Sequence, residues 1–127
     1  MKNVVKSKCN KQAIDYYLGD LSNADFRRVN ELLFDIGTGL TIKYEDVFKL
    51  INLTEKPLKR FLKKIIDKQI IRVITIYDNG KEESYISFNP SITICKVCYN
   101  RELIRTWKDI IEKYNLLSKD LIDEILN

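Results

Sequence analysis

Apolar positions along the chain fall into two regimes, helical at either end and extended in between. After Ser22, which is placed to cap a helix, Phe26, Val29, Leu32, Leu33 and Ile36 recur at helical spacing until Gly37 or Gly39 ends the element. The apolar pattern before it, Ile14, Tyr16, Tyr17, Leu18 and Leu21, is too short to specify an element. Two further stripes follow, Tyr44, Val47, Phe48 and Ile51, then Leu58, Phe61, Leu62, Ile65 and Ile66. Between them Asn52 closes one helix and Thr54 caps the next, with Pro57 in a first turn where its missing N–H costs nothing. Two amphipathic helices across so short a turn predict a helix-turn-helix.

Beyond Lys68 the period becomes extended. "IIRVITIYD" is rich in β-branched and aromatic residues, "ESYISFNP" alternates, and Asp78, Asn79 and Gly80 between them tolerate positive φ, which predicts a hairpin. Asn89-Pro90 ends the second strand, because proline has no N–H to donate to a ladder. Two more helices are expected. One covers about Arg101 to Tyr114 with Leu103, Trp107, Ile110, Ile111 and Tyr114 inward, and one covers Ser118 to Leu126 with Leu121, Ile122, Ile125 and Leu126 inward.

This order predicts a mainly α fold with a small β-hairpin wing, a winged helix-turn-helix with extra N- and C-terminal helices. With 127 residues, 45% of them hydrophobic, and no repeat or linker composition, one domain is expected. It divides into a basic N-terminal arm at 1–12, a winged-helix domain at 13–99 and C-terminal helices at 100–127 that pack on it or dimerise. No run approaches the roughly 18 apolar residues of a membrane span, and residues 1–12 hold no secretory apolar stretch. The three cysteines form an odd set that suits a reducing compartment, so a cytoplasmic protein with no membrane partner is expected.

The net charge of +4 is moderate, but its distribution is uneven. From Thr54 to Arg72, Lys56, Lys59, Arg60, Lys63, Lys64, Lys68 and Arg72 stand against Glu55 and Asp67, seven positive against two negative, or +5. On a helical wheel Lys56, Arg60 and Lys63 gather opposite the apolar stripe, with Lys59 and Lys64 at the flanks. A solvated face ordinarily mixes charge signs for i,i+4 support, whereas here only Asp67 interrupts. A basic helix between a short-turn helix and a hairpin fits the DNA major groove, its first residues reaching base edges and its flanks neutralising phosphates. Thr54, Glu55 and Lys56 are thus candidates for base contact, Arg60 for guanine or phosphate, and Lys59, Lys63 and Lys64 for phosphate. Asn79 and Lys81 stand at the wing tip as candidates for backbone or minor-groove contact, against ordinary turn chemistry.

From about Leu21 to Pro90 the sequence resembles the winged-helix replication proteins of plasmids and phages, of the RepL-like and wider MarR-like kind. The residues carrying the resemblance are "LSNADFRRVNELLFDI", "TIKYEDVFKLINLTEKPLKRFLKKIIDKQII" and the hairpin ending "YISFNPSI". Thr54, Leu58, Arg60, Phe61, Lys63 and Lys64 fall near the positions of a recognition helix in those relatives, and Tyr85, Asn89 and Pro90 correspond to the end of their wing. Pro57 departs from the pattern, which has a β-branched or polar residue there. The resemblance implies a DNA-binding protein of a mobile element, acting in replication initiation or transcription control.

Other constellations carry less. "CKVC" at Cys95 to Cys98, with Cys9, gives three thiols and no histidine, one ligand short of a structural zinc site. Absence of histidine removes the usual general base, and no Ser/His, Cys/His, Walker or G-x-G-x-x-G arrangement exists. No enzyme and no cofactor are therefore expected. Tyr44, Tyr77 and Tyr99 keep single-stranded DNA open as an alternative to duplex through base stacking. A second alternative is an interaction module, its apolar terminal helices holding a replication or transcription protein. Either reading admits a homodimer through those helices.

Overall fold

The computed structural model describes residues 3–6, 11–36, 41–51, 53–92 and 96–127. It is mostly helical, with an antiparallel hairpin towards the middle of the chain. Strand β1 (Asn3–Lys6) leads to helices α1 (Lys11–Leu18) and α2 (Asn23–Ile36). Strand β2 (Thr41–Lys43), a 3-10 turn (Tyr44–Asp46) and the single-turn helix α3 (Val47–Leu50) precede α4 (Glu55–Asp67). The hairpin strands are β3 (Ile71–Asp78) and β4 (Lys81–Phe88), followed by β5 (Lys96–Tyr99), α5 (Arg101–Lys113) and α6 (Lys119–Leu126).

Local chemistry accounts for most of these limits. Ser22 accepts a hydrogen bond from the Asp25 amide at 3.1 Å, and Ser118 does the same for Leu121 at 3.2 Å, so both hydroxyls satisfy a donor left over at a helix start. Helix α4 ends in a Schellman motif, in which Gln69 N–H reaches the Ile66 carbonyl and Ile70 N–H reaches that of Ile65. Gln69, not a glycine, takes the left-handed position at φ 62°. At the hairpin tip Asn79 and Gly80 have φ of 50° and 76°, a two-residue turn of the primed type whose twist suits the flanking strands. Asp78 pairs with Lys81 and the register runs without a break to Ile71 opposite Phe88.

Three parts of the sequence reading need correction. The stripe Tyr44, Val47, Phe48 and Ile51 does not form a full helix, because residues 41–43 extend and pair with Ser87, Ile86 and Tyr85 of β4, leaving one 3-10 turn and one α turn. The sheet therefore has three strands in the order β2-β4-β3. Residues 3–6 of the expected basic arm form β1, paired antiparallel with β5, and Lys11 already belongs to α1. Thr54 occupies the N-cap of α4 in extended conformation, but its side chain makes no capping bond. Asn52, Gly37, Gly39, Cys9 and Cys95 lie outside the described residues.

One apolar cluster joins all of this. It takes in Val29 and Leu32 of α2, Val47 of α3, Leu58, Leu62 and Ile65 of α4, Ile71 and Phe88 at the hairpin base, and Leu103, Trp107 and Ile111 of α5. Burying side chains of this size is worth about 1.5–3 kcal/mol each relative to leaving them in water. The apolar stripe of α5 is thus buried within the chain. Tyr114, expected inward, is only partly buried, and Phe26 remains 42% exposed.

Candidate nucleic-acid interface

Helix α4 has two opposed faces. Leu58, Phe61, Leu62 and Ile65 are buried in the core, and Lys56, Lys59, Arg60, Lys63 and Lys64 are exposed. That orientation follows from the 3.6-residue period, because fixing the apolar stripe inward turns the opposite side out.

The five cations differ in what already holds them. Lys59 Nζ lies 2.9 Å from Glu55 Oε1, an i,i+4 pair in the favourable order, and its hydrogen bond holds the Glu55 carboxyl below its usual value. Lys64 Nζ lies 2.8 Å from Asp25 Oδ2 on α2. Asp25 is only 6% exposed and also takes Arg28 Nη1 at 3.1 Å. The hydrogen bond from Lys64, with lesser help from Ser22 and Arg28, holds the Asp25 carboxyl below its ordinary range against the opposing effect of burial. Lys64 thus braces α4 on α2 as well as facing outwards. Among the described residues Lys56, Arg60 and Lys63 make no ion pair. At about 100° per residue they fall within an arc of about 60°, over a rise of about 10 Å along the axis.

Beside this face a shallow groove of about 310 Å³ runs between α2 and α4, lined by Arg28, Leu53, Pro57, Arg60 and Phe61 above the Asp25–Lys64 pair. Arg28 sits 6.0 Å from the centroid of the Phe61 ring. Pro57 therefore forms part of the groove wall in addition to stiffening the first turn. Thr54 and Glu55 are exposed at the start of the helix, where base-edge contact was expected.

The β3–β4 hairpin contributes a different field. Asn79 and Lys81 are exposed at its tip, and Asn79 has the left-handed backbone that the turn requires. Along residues 71–88 the charged side chains are Arg72 and Lys81 against Asp78, Glu82 and Glu83, two positive and three negative, or −1. Glu83 takes Lys43 at 3.6 Å and the Tyr85 hydroxyl at 2.8 Å. The Tyr85 hydrogen bond, then the charge of Lys43, hold its carboxyl below the usual value.

Arg72, counted in the sequence among the local positive charges, is not on the outer face of α4; it donates to Gln69 Oε1 at the end of that helix at 2.9 Å. It forms a fork with Asp109 of α5 at 2.8 and 2.9 Å and donates to the Thr106 carbonyl at 2.6 Å. Its guanidinium lies 4.2 Å from the centroid of the Trp107 ring. A side chain reaching a helix carbonyl in this way accounts for the break in α5, where Trp107 has φ −116° and ψ 21°. No sequence pattern announces the Arg72–Asp109 pair or the Lys64–Asp25 pair, since their partners lie 37 and 39 residues away.

The Asn-Pro that follows the hairpin also has a structural role. Asn89 is fully buried, its Nδ2 donating to the Gln69 carbonyl at 2.9 Å and its backbone N–H to that of Ile70 at 2.9 Å. Its Oδ1 accepts from the amide and hydroxyl of Ser91 at 2.9 and 2.5 Å. The junction between α4 and the hairpin is held from both sides.

No metal cluster of three His, Cys, Asp or Glu occurs among the described residues. No described helix is long and apolar enough to cross a membrane. Compared with protein-family models, curated proteins and solved structures, the chain matches none.

Proposed function

We propose that this chain is a winged-helix DNA-binding protein of a mobile element, gripping duplex DNA through the outer face of α4 in replication initiation or transcription control. The observation that carries the reading is the trio Lys56, Arg60 and Lys63, exposed, without ion pairs among the described residues, and set on a helix whose other face is locked in the core. A cation without a carboxylate partner gives up no internal bond when it meets a phosphate. The order α2, β2, α3, α4 and hairpin supports the winged-helix reading, with β2 joining the wing sheet. The chain acts by binding, not catalysis, and needs no cofactor.

Fluorescence anisotropy with duplex DNA across a salt series tests it. Three phosphate contacts predict that log K falls with log salt at a slope of about −2.7, steepening towards about −4.5 where Lys59 and Lys64 exchange their carboxylates for phosphates. Reversing Arg60 and Lys63 to glutamate should abolish duplex binding while far-ultraviolet circular dichroism is unchanged. Unchanged affinity in that variant sinks the proposal.

Single-stranded DNA is the second reading, favoured by Tyr77, which is 75% exposed near the wing tip and open to stacking on a base. A single-stranded probe of equal length separates the two. Preference for it, lost in Tyr77→Ala, would select the second.

A further inference from the structure

The wing carries an uncovered sheet edge. In the order β2-β4-β3, strand β3 is outermost and spans eight residues, Ile71–Asp78. Natural proteins blunt such edges with charge, proline, a bulge or a cover. From Val73 to Tyr77 the sequence is Val-Ile-Thr-Ile-Tyr, with none of the first two, and the register with β4 is unbroken, so there is no bulge. Nor is there a cover among the described residues: Val73, Ile76 and Tyr77 are 42%, 36% and 75% exposed. Half of the large apolar side chains so exposed among the described residues thus lie on this one strand, Val73 and Tyr77 on one face and Ile76 on the other.

The backbone gives the geometry. Asn89 N–H donates to the Ile70 carbonyl, and the two-residue turn closes on the pair Asp78 and Lys81. Even-numbered residues of β3 therefore direct their N–H and C=O groups towards β4, and Val73, Thr75 and Tyr77 direct theirs outwards. We infer that β3 pairs antiparallel with β3 of a second copy of this chain, about a two-fold axis at Thr75, joining two wings into one six-stranded sheet.

Self-complementarity favours a second copy over any other strand. With Thr75 opposite Thr75, Val73 of each copy meets Tyr77 of the other, a β-branched and aromatic pair formed twice. One step further out Arg72 stands opposite Asp78 in this register, and Arg72 keeps its fork on Asp109. A register of opposite parity would put the two sheets face to back and lose the Val73–Tyr77 pairs. The slight negative charge of the wing suits an edge that meets protein better than one that meets phosphate.

Sedimentation velocity of the full chain without DNA, from about 1 µM to about 500 µM, should show a monomer passing to a dimer, as expected of a small interface. Over the same range the amides of Val73, Thr75 and Tyr77 should exchange with solvent about tenfold or more slowly at the high end, while those of Ile74 and Ile76 change little. Thr75→Pro removes an outward N–H and no backbone bond to β4, losing only the exposed 3.5 Å hydroxyl contact with Ser84, and should leave a folded monomer. Should that variant fail to fold, V73K/Y77K opposes lysine to lysine and should also be monomeric, whereas V73K/Y77E opposes lysine to glutamate and should dimerise again. A wild-type chain monomeric throughout overturns the inference, as does a dimer that persists in folded V73K/Y77K.

Discussion

Asp25 shows how one buried carboxylate organises an exposed face. Its partners are a lysine and an arginine, each with its charge partly in water, so Asp25→Asn removes hydrogen bonds to charged groups without leaving a buried cation behind. The expected loss is about 1–3 kcal/mol, read as a lower melting temperature. The pH dependence has a definite sign. A carboxyl whose folded value is depressed adds stability above its unfolded value of about 3.9, and this is lost as pH falls through the folded value. Wild-type chain should therefore lose stability on acidification below about pH 4 more steeply than Asp25→Asn, in parallel thermal melts. Arg72 offers a companion test. Arg72→Lys keeps the charge but loses the planar fork on Asp109 and the stacking on Trp107. A cost of about 1–3 kcal/mol is expected, with a change in Trp107 fluorescence that a simple surface pair would not produce.

At the scale of elements, the caps separate structural from functional roles. Ser22 closes a donor of α2 with its hydroxyl, and Thr54, in the corresponding place on α4, closes none. Ser22→Ala should lower stability by about 1 kcal/mol, and Thr54→Ala by a few tenths, both by chemical denaturation. A loss of duplex affinity in Thr54→Ala without loss of stability would then assign its hydroxyl to the ligand. Elements with strong periodicity and standard punctuation were legible from residues alone. The stripe of Leu58, Phe61, Leu62 and Ile65, the Asn79-Gly80 turn and the cap at Ser22 all lie where the pattern places them. Strand β2 was not legible, because Thr41 to Lys43 gains its extended form from β4, whose pairing residues lie over 40 positions away. The same holds for β1, which needs β5 at the other end of the chain. The end of α4 was hidden for a different reason, since Gln69 fills a backbone position that glycine usually advertises. Within the candidate interface, the outward set was readable and its internal pairings were not, because Lys64 and Arg72 find their acids through tertiary packing.

For the molecule as a whole, one core crosses the boundary that the sequence suggests at residue 100. Trp107 of α5 is fully buried, donates to Ser87 of β4 at 3.0 Å and carries Arg72 of β3 on its ring. Residues 100–127 are therefore not expected to melt apart from the rest. Denaturation followed by Trp107 fluorescence and by far-ultraviolet circular dichroism should give coincident curves, and a separate second transition would contradict a shared core. The joint at Asn89 extends this point into mechanics. A hairpin fixed to a helix end by bonds on both sides of one buried amide has no slack at its root. The hairpin then sits on the end of α4 as a bracket sits on a beam, its root tied through Asn89 to Gln69 and Ile70 on one side and to Ser91 on the other.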